Sequence, residues 1–207
     1  MEKDFIADLD EYFAKNYSNF DMISALPSYK PVTVSMLLRN YNRVENGAES
    51  ADERKKICSQ PEKKQILAEF KQKYVDTSFT YSFRIAPVRH RLGVFLHFTR
   101  CPEQMKKAVT SRGEDPAEFA EKLDIDPYVW KNILKGYYLP EKVLLFKICL
   151  RLGLSSGESG LLMNAFEYTF DFTDARDVVV RYLIDYRIYN EEMIAAAFDE
   201  YGLRRIV

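Results

Sequence analysis

Residues 115–154, DPAEFAEKLDIDPYVWKNILKGYYLPEKVLLFKICLRLGL, constrain the fold of this chain more than any other stretch. Apolar residues recur there at three- and four-residue spacing between breakers, the pattern of short packed helices. The first set is Phe119, Ala120 and Leu123, closed by Ile125. The second is Val129, Trp130, Ile133 and Leu134, ended by Gly136. The third follows Pro140 and comprises Val143, Leu144, Phe146, Ile148 and Leu152, ended by Gly153. Only a few residues separate the first two sets, the spacing of a helix-turn-helix. Asp126 is placed to cap the second helix, with Pro127 at its first position.

This stretch resembles the lambda-repressor-like helix-turn-helix family over about residues 101–154, and more specifically its xenobiotic-response-element type. The resemblance is carried by Ala120-Glu121-Lys122-Leu123, Ile125, Ile133, Gly136, Pro140, Lys147-Ile148 and Leu152-Gly153, in order and without gaps. It implies a recognition helix at 127–135 that lies in the major groove of double-stranded DNA. Lys131 and Asn132 would face bases, Lys135 and Tyr137 the backbone, and Tyr128 and Tyr138 complete the contact set. Trp130 and Ile133 would anchor the helix from below. Three positions depart from the family pattern. Asp124 stands where the turn usually has Gly, a position Asp tolerates better than most residues. Pro116 stands where a phosphate-contacting Gln is common, and Asp126 brings a carboxylate close to where phosphates would lie. The tail, DVVVRYLIDYRIYNEEMIAAAFDEYGL, is similar to the ends of uncharacterised gut-bacterial proteins carrying this module, which implies one helical domain over about 101–207.

Charge gives DNA binding little support. Residues 101–154 hold nine basic and eight acidic residues, and residues 155–207 hold ten acidic and five basic. Such a balance differs from the basic surface of a tight nucleic-acid binder. The resemblance nevertheless makes a DNA-binding transcription regulator the preferred reading; the alternative is a non-catalytic protein-interaction or adaptor module that keeps the helix-turn-helix fold without DNA. A positive band around 127–138 would favour the first, and a neutral or apolar patch the second.

The expected architecture is mainly α, with the helix-turn-helix inside a C-terminal helical domain at 101–207. A helical region at 1–100, for dimerisation or sensing, holds at most a minor β element. Helices are expected over 2–15 (Phe5, Leu9, Tyr12, Phe13), 32–42 (Val34, Leu37, Leu38, Tyr41) and 61–75 (Ile66, Leu67, Phe70, Tyr74). The polar stretch from about 44 to 64 reads as a linker. Phe79, Tyr81, Phe83 and Ile85 alternate as in a half-buried strand. Residues 87–100 fit a strand or a helix; the helix starting at Pro87 is preferred, with Val88, Leu92, Phe95 and Leu96 on its apolar side and Arg89, His90 and Arg91 on its polar side. Further helices are expected over 155–166, 173–187 with Thr173 as cap, and 190–201.

No catalytic or metal constellation stands out. His90 and His97 lack a Cys or carboxylate at ligand spacing. Asp174 with Asp177, and Glu191 with Glu192, read as helix-start charges. The eight glycines are scattered, so no phosphate-cradling loop is seen. Aromatic residues, 14% of the chain, read as core at helical spacing, with Tyr137 and Tyr138 as loop exceptions. Three widely spaced cysteines, Cys58, Cys101 and Cys149, form no disulfide framework, and Cys149 reads as a small buried hydrophobe. The charged start, unlike a signal peptide, and the lack of a spanning apolar run lead to the expectation of a cytoplasmic protein with no cofactor and no membrane partner. A homodimer or a protein partner is compatible with this.

Overall fold

The computed structural model describes residues 2–30, 57–76, 83–98 and 100–206. The protein is mainly α, with one small two-stranded ribbon among the described residues. In chain order the elements are α1 (Glu2–Asn16), α2 (Phe20–Ser24), α3 (Lys63–Lys73), β1 (Phe83–Ile85), α4 (Val88–Phe95), α5 (Cys101–Thr110), α6 (Phe119–Leu123), α7 (Pro127–Leu134), β2 (Tyr138–Pro140), α8 (Lys142–Arg151), α9 (Ser156–Ala165), α10 (Ala175–Asp185) and α11 (Glu191–Glu200). The helix expected over 32–42, residues 44–56 of the linker, and Phe79 and Tyr81 lie outside the described residues.

The chain divides into two compact units. The first takes Met1–Asp76, Phe170–Tyr182 and Ala196–Leu203. Its core holds a cluster of rings, Phe13 of α1 and Phe70 of α3 with Tyr17 and Tyr201, among aliphatic residues such as Leu9, Ile66 and Leu67. Phe13 lies 4.7 Å from Tyr17, 5.2 Å from Phe70 and 4.4 Å from Tyr201, centroid to centroid. Offset and tilted ring pairs at such distances add to the area they bury. The ion pair of Arg176 with Asp76 sits in this unit, with both side chains almost fully enclosed. Asp174, not Thr173, starts α10: its carboxylate accepts from the Arg176 N–H at 2.8 Å. Thr173 instead donates to Asp171.

The second unit takes Thr77–Thr169, Leu183–Ala195 and Arg204–Val207. Its centre is α8, where Val143 to Leu150 are all buried, including Lys147. A helix that is apolar nearly all round must be surrounded by others, and α6 and α9 pack on it. Helix α9 begins with a capping box: the Ser155 hydroxyl faces the Glu158 N–H while the Glu158 carboxylate accepts from the Ser155 N–H. Cys101 and Cys149 are buried and Cys58 is exposed, all three as free thiols. Burial raises the Cys149 thiol to about 12. No described helix is long and apolar enough to cross a membrane.

Candidate functional site

The helix pair α6–α7 is built by local rules. Asp124 closes α6 in the left-handed region at φ 53°, and the Ile125 N–H reaches back to the Ala120 carbonyl at 3.1 Å. Asp126 then caps α7, its Oδ1 accepting from the N–H groups of Tyr128 at 2.8 Å and Val129 at 3.2 Å. Pro127 stands at the first helical position, where no amide donor is needed. Trp130, Ile133 and Leu134 turn inward, and the Trp130 ring lies 5.9 Å from that of Phe119.

Inward anchoring fixes what faces out. Tyr128, Lys131 and Lys135, spaced by three and four, form the exposed stripe of α7. Asn132 is half-buried, and its amide donates to the Tyr128 carbonyl one turn back at 2.8 Å. Tyr137 is exposed, whereas Tyr138 is half-buried in β2 with its ring stacked 4.8 Å from Phe83. The sequence-expected contact residues are therefore not equally available: Tyr128, Lys131, Lys135 and Tyr137 are exposed, and Asn132 and Tyr138 are half-buried.

The charge beside this stripe is mixed. Glu114, Asp115, Glu118, Glu121, Asp124 and Asp126 precede α7, and the one cation among them, Lys122, is bound by Glu114 at 2.5 Å. Positive charge on α7 is thus flanked by carboxylates on the side of α6.

On the other side lies a feature that the sequence pattern ordered the wrong way round. Helix α4 is held against the end of α7 by the ribbon of β1 and β2, by the Ala86 N–H donating to the Tyr137 carbonyl at 2.8 Å, and by Gly136. Gly136 has φ +74°, and a Cβ there would lie 2.9 Å from both the Val94 and the Pro102 side chains. Only glycine fits that junction. His90, Gly93 and Val94 form the inner side of α4, so Val88, Leu92 and Phe95 point into solvent. The apolar side expected to be buried is the exposed one, and His90, expected on the polar side, faces inward. Ile85, Leu96 and Phe98 extend the exposed apolar surface, with Phe95 at 78% and Phe98 at 84% exposure. The strand expectation is corrected likewise: all three residues of β1 are exposed rather than half-buried.

The same stretch of sequence is rich in arginine. From Thr77 to Pro102 the sequence holds Arg84, Arg89, Arg91 and Arg100 and no carboxylate. Arg84 lies 3.9 Å from Glu141, while no ion pair engages Arg89, Arg91 or Arg100 among the described residues. That acid-free run was the available signal in the sequence, together with apolar positions that fit two periods at once.

No family model, curated protein or solved structure matches this chain. Among the described residues no cluster of His, Cys, Asp and Glu could hold a metal ion. A cleft of about 510 Å³ in the first unit is lined by Asp10, Glu11, Lys63, Lys71 and Glu200, among others. Its charges answer one another: Lys71 lies 2.6 Å from both Asp10 and Glu200, and Tyr201 donates to Asp10 at 2.8 Å.

Proposed function

We propose that this chain is a non-catalytic protein-interaction module built on a helix-turn-helix scaffold. The observation that carries this reading is the outward apolar face of α4, Val88, Leu92 and Phe95, next to the end of α7. A contiguous exposed apolar surface rimmed by polar residues is the mark of an interaction site. The carboxylates ahead of α7 favour the same reading, since they would face phosphates in the docking pose of a recognition helix. Free cysteines, one of them exposed, accord with a reducing cytoplasm.

A second reading, a DNA-binding transcription regulator, is favoured by one specific observation: Tyr128, Lys131, Lys135 and Tyr137 are all exposed along and after α7. Fluorescence-anisotropy titration with random-sequence duplex DNA at several salt concentrations separates the two. The interaction reading expects no salt-sensitive binding even at low salt. Micromolar binding that weakens steeply with salt, and that Lys131→Ala with Lys135→Ala removes, would transfer the function to the second reading.

A further inference from the structure

Resting on the interaction reading, we infer that the α4 face docks an acidic amphipathic helix of another protein, apolar along one stripe and carboxylate-flanked on both sides. Val88, Leu92 and Phe95 stand at i, i+4 and i+7 on the outer side of α4, the spacing by which one helix anchors to another. Around the same helix, Arg91 lies on one flank of that stripe and Arg89 on the other, as their positions along a 3.6-residue period require. Both are exposed and without an ion pair among the described residues.

The charge decides between occupants. A second copy of this chain does not fit. In an antiparallel two-fold pairing of α4 with its mate, each flank meets its own equivalent, so Arg89 faces Arg89 and Arg91 faces Arg91. In a parallel pairing, Arg89 faces Arg91. Every symmetric arrangement sets arginine against arginine at the rim of an apolar contact, where like charges cost most. Carboxylates on the partner remove that conflict, and guanidinium groups suit them because the planar fork binds a carboxylate through two hydrogen bonds. All four cations between Thr77 and Pro102 are arginine and none is lysine. Duplex DNA would satisfy the arginines but leave Val88 and Leu92 against water or phosphate.

The test uses the full chain and two designed helical peptides. Both carry leucines at alternating three- and four-residue spacing; glutamates flank the stripe in one, lysines in the other. Anisotropy titration is expected to show the glutamate peptide binding at least about tenfold more tightly at low salt, with the gap narrowing as salt is added. Arg89→Glu with Arg91→Glu should reverse the preference. Leu92→Ser with Phe95→Ser should abolish binding of both peptides while the melting temperature is kept, since neither side chain is buried. Equal binding of the two peptides would overturn the acidic-partner inference and leave the interaction reading standing. Self-association in sedimentation velocity that Leu92→Ser with Phe95→Ser removes would do the same, naming a second copy as the occupant. Binding to anionic phospholipid vesicles, with no binding of either peptide, would overturn both in favour of a membrane surface. No binding to peptide, copy or vesicle would also overturn both.

Discussion

The indole N–H of Trp130 donates to the carbonyl of Pro116 at 2.5 Å. The buried anchor of α7 thereby fastens the turn ahead of α6 through the main chain of residue 116. A proline offers no amide donor, but its carbonyl still needs one when it leaves water. Trp130→Phe keeps an aromatic ring beside Phe119, loses that bond and opens a small void. It is expected to cost about 1–3 kcal/mol. A lower urea midpoint with an unchanged slope is the readout. No shift in midpoint would mean that the bond is replaced by water.

Gly136 makes a separate prediction at the other end of α7. Gly136→Ala places a methyl group 2.9 Å from both Val94 and Pro102 in a left-handed backbone. The backbone alone costs about 1–2 kcal/mol, and the clash must push α4 or α5 away. Gly113, also left-handed at φ +74° but with no neighbour within 4 Å, is the control. Gly113→Ala should show only the backbone cost, and amide exchange in 86–96 should accelerate in the Gly136 variant alone.

How much of this was legible follows from the same residues. Helices α6, α7 and α8 follow from the sequence because their breakers and caps, Asp124, Asp126, Pro127 and Gly153, act within a few residues. Local chemistry of that kind is readable without a fold. The direction of α4 was not readable. Periodicity tells which residues share a side, and both sides of α4 hold apolar residues, so the choice fell to the junction of Gly136 with Val94. That is a contact between residues far apart in sequence. Tyr138 was misplaced for a related reason: its exposure depends on β1 pairing with β2, and the strand pattern gave no partner. The cap of α10 moved by one residue, from Thr173 to Asp174, within the usual uncertainty of helix ends.

In the first unit, Arg176 and Asp76 allow a test of what a buried ion pair contributes. Their side chains are 2% and 3% exposed, and the guanidinium lies 5.7 Å from the Phe198 ring. Arg176→Met leaves the Asp76 carboxylate enclosed without its arginine, and about 3–5 kcal/mol should be lost. Arg176→Met with Asp76→Leu removes both charges and should cost less than the single change. If the double variant is less stable than the natural chain, the pair contributes more than the desolvation it requires. Thermal unfolding of the three proteins decides the order.

His90 sets an expectation for pH. It lies on the inner side of α4, and burial lowers its affinity for a proton below the ordinary value of 6.5; Glu167 opposes that shift and Arg84 adds to it. Its Nε2 has no hydrogen-bond partner among the described residues. The folded state therefore takes up the His90 proton less readily than the unfolded chain, which protonates it as pH falls through about 6.5. Below that pH the unfolded state binds more protons than the folded state, so stability declines with falling pH. The decline stops once the folded protein also takes up the proton, below its lowered value. Above about 6.5 the contribution is fully present. His97, exposed and 3.8 Å from Glu103, serves as the comparison. Urea midpoints measured from about pH 7.5 to about pH 5, on either side of the ordinary histidine value, should fall with acid in the natural chain and in His97→Gln. In His90→Leu the slope should flatten. An equal slope in His90→Leu would assign the acid sensitivity to carboxylates such as Glu158, whose affinity for a proton is lowered by its bonds to Ser155.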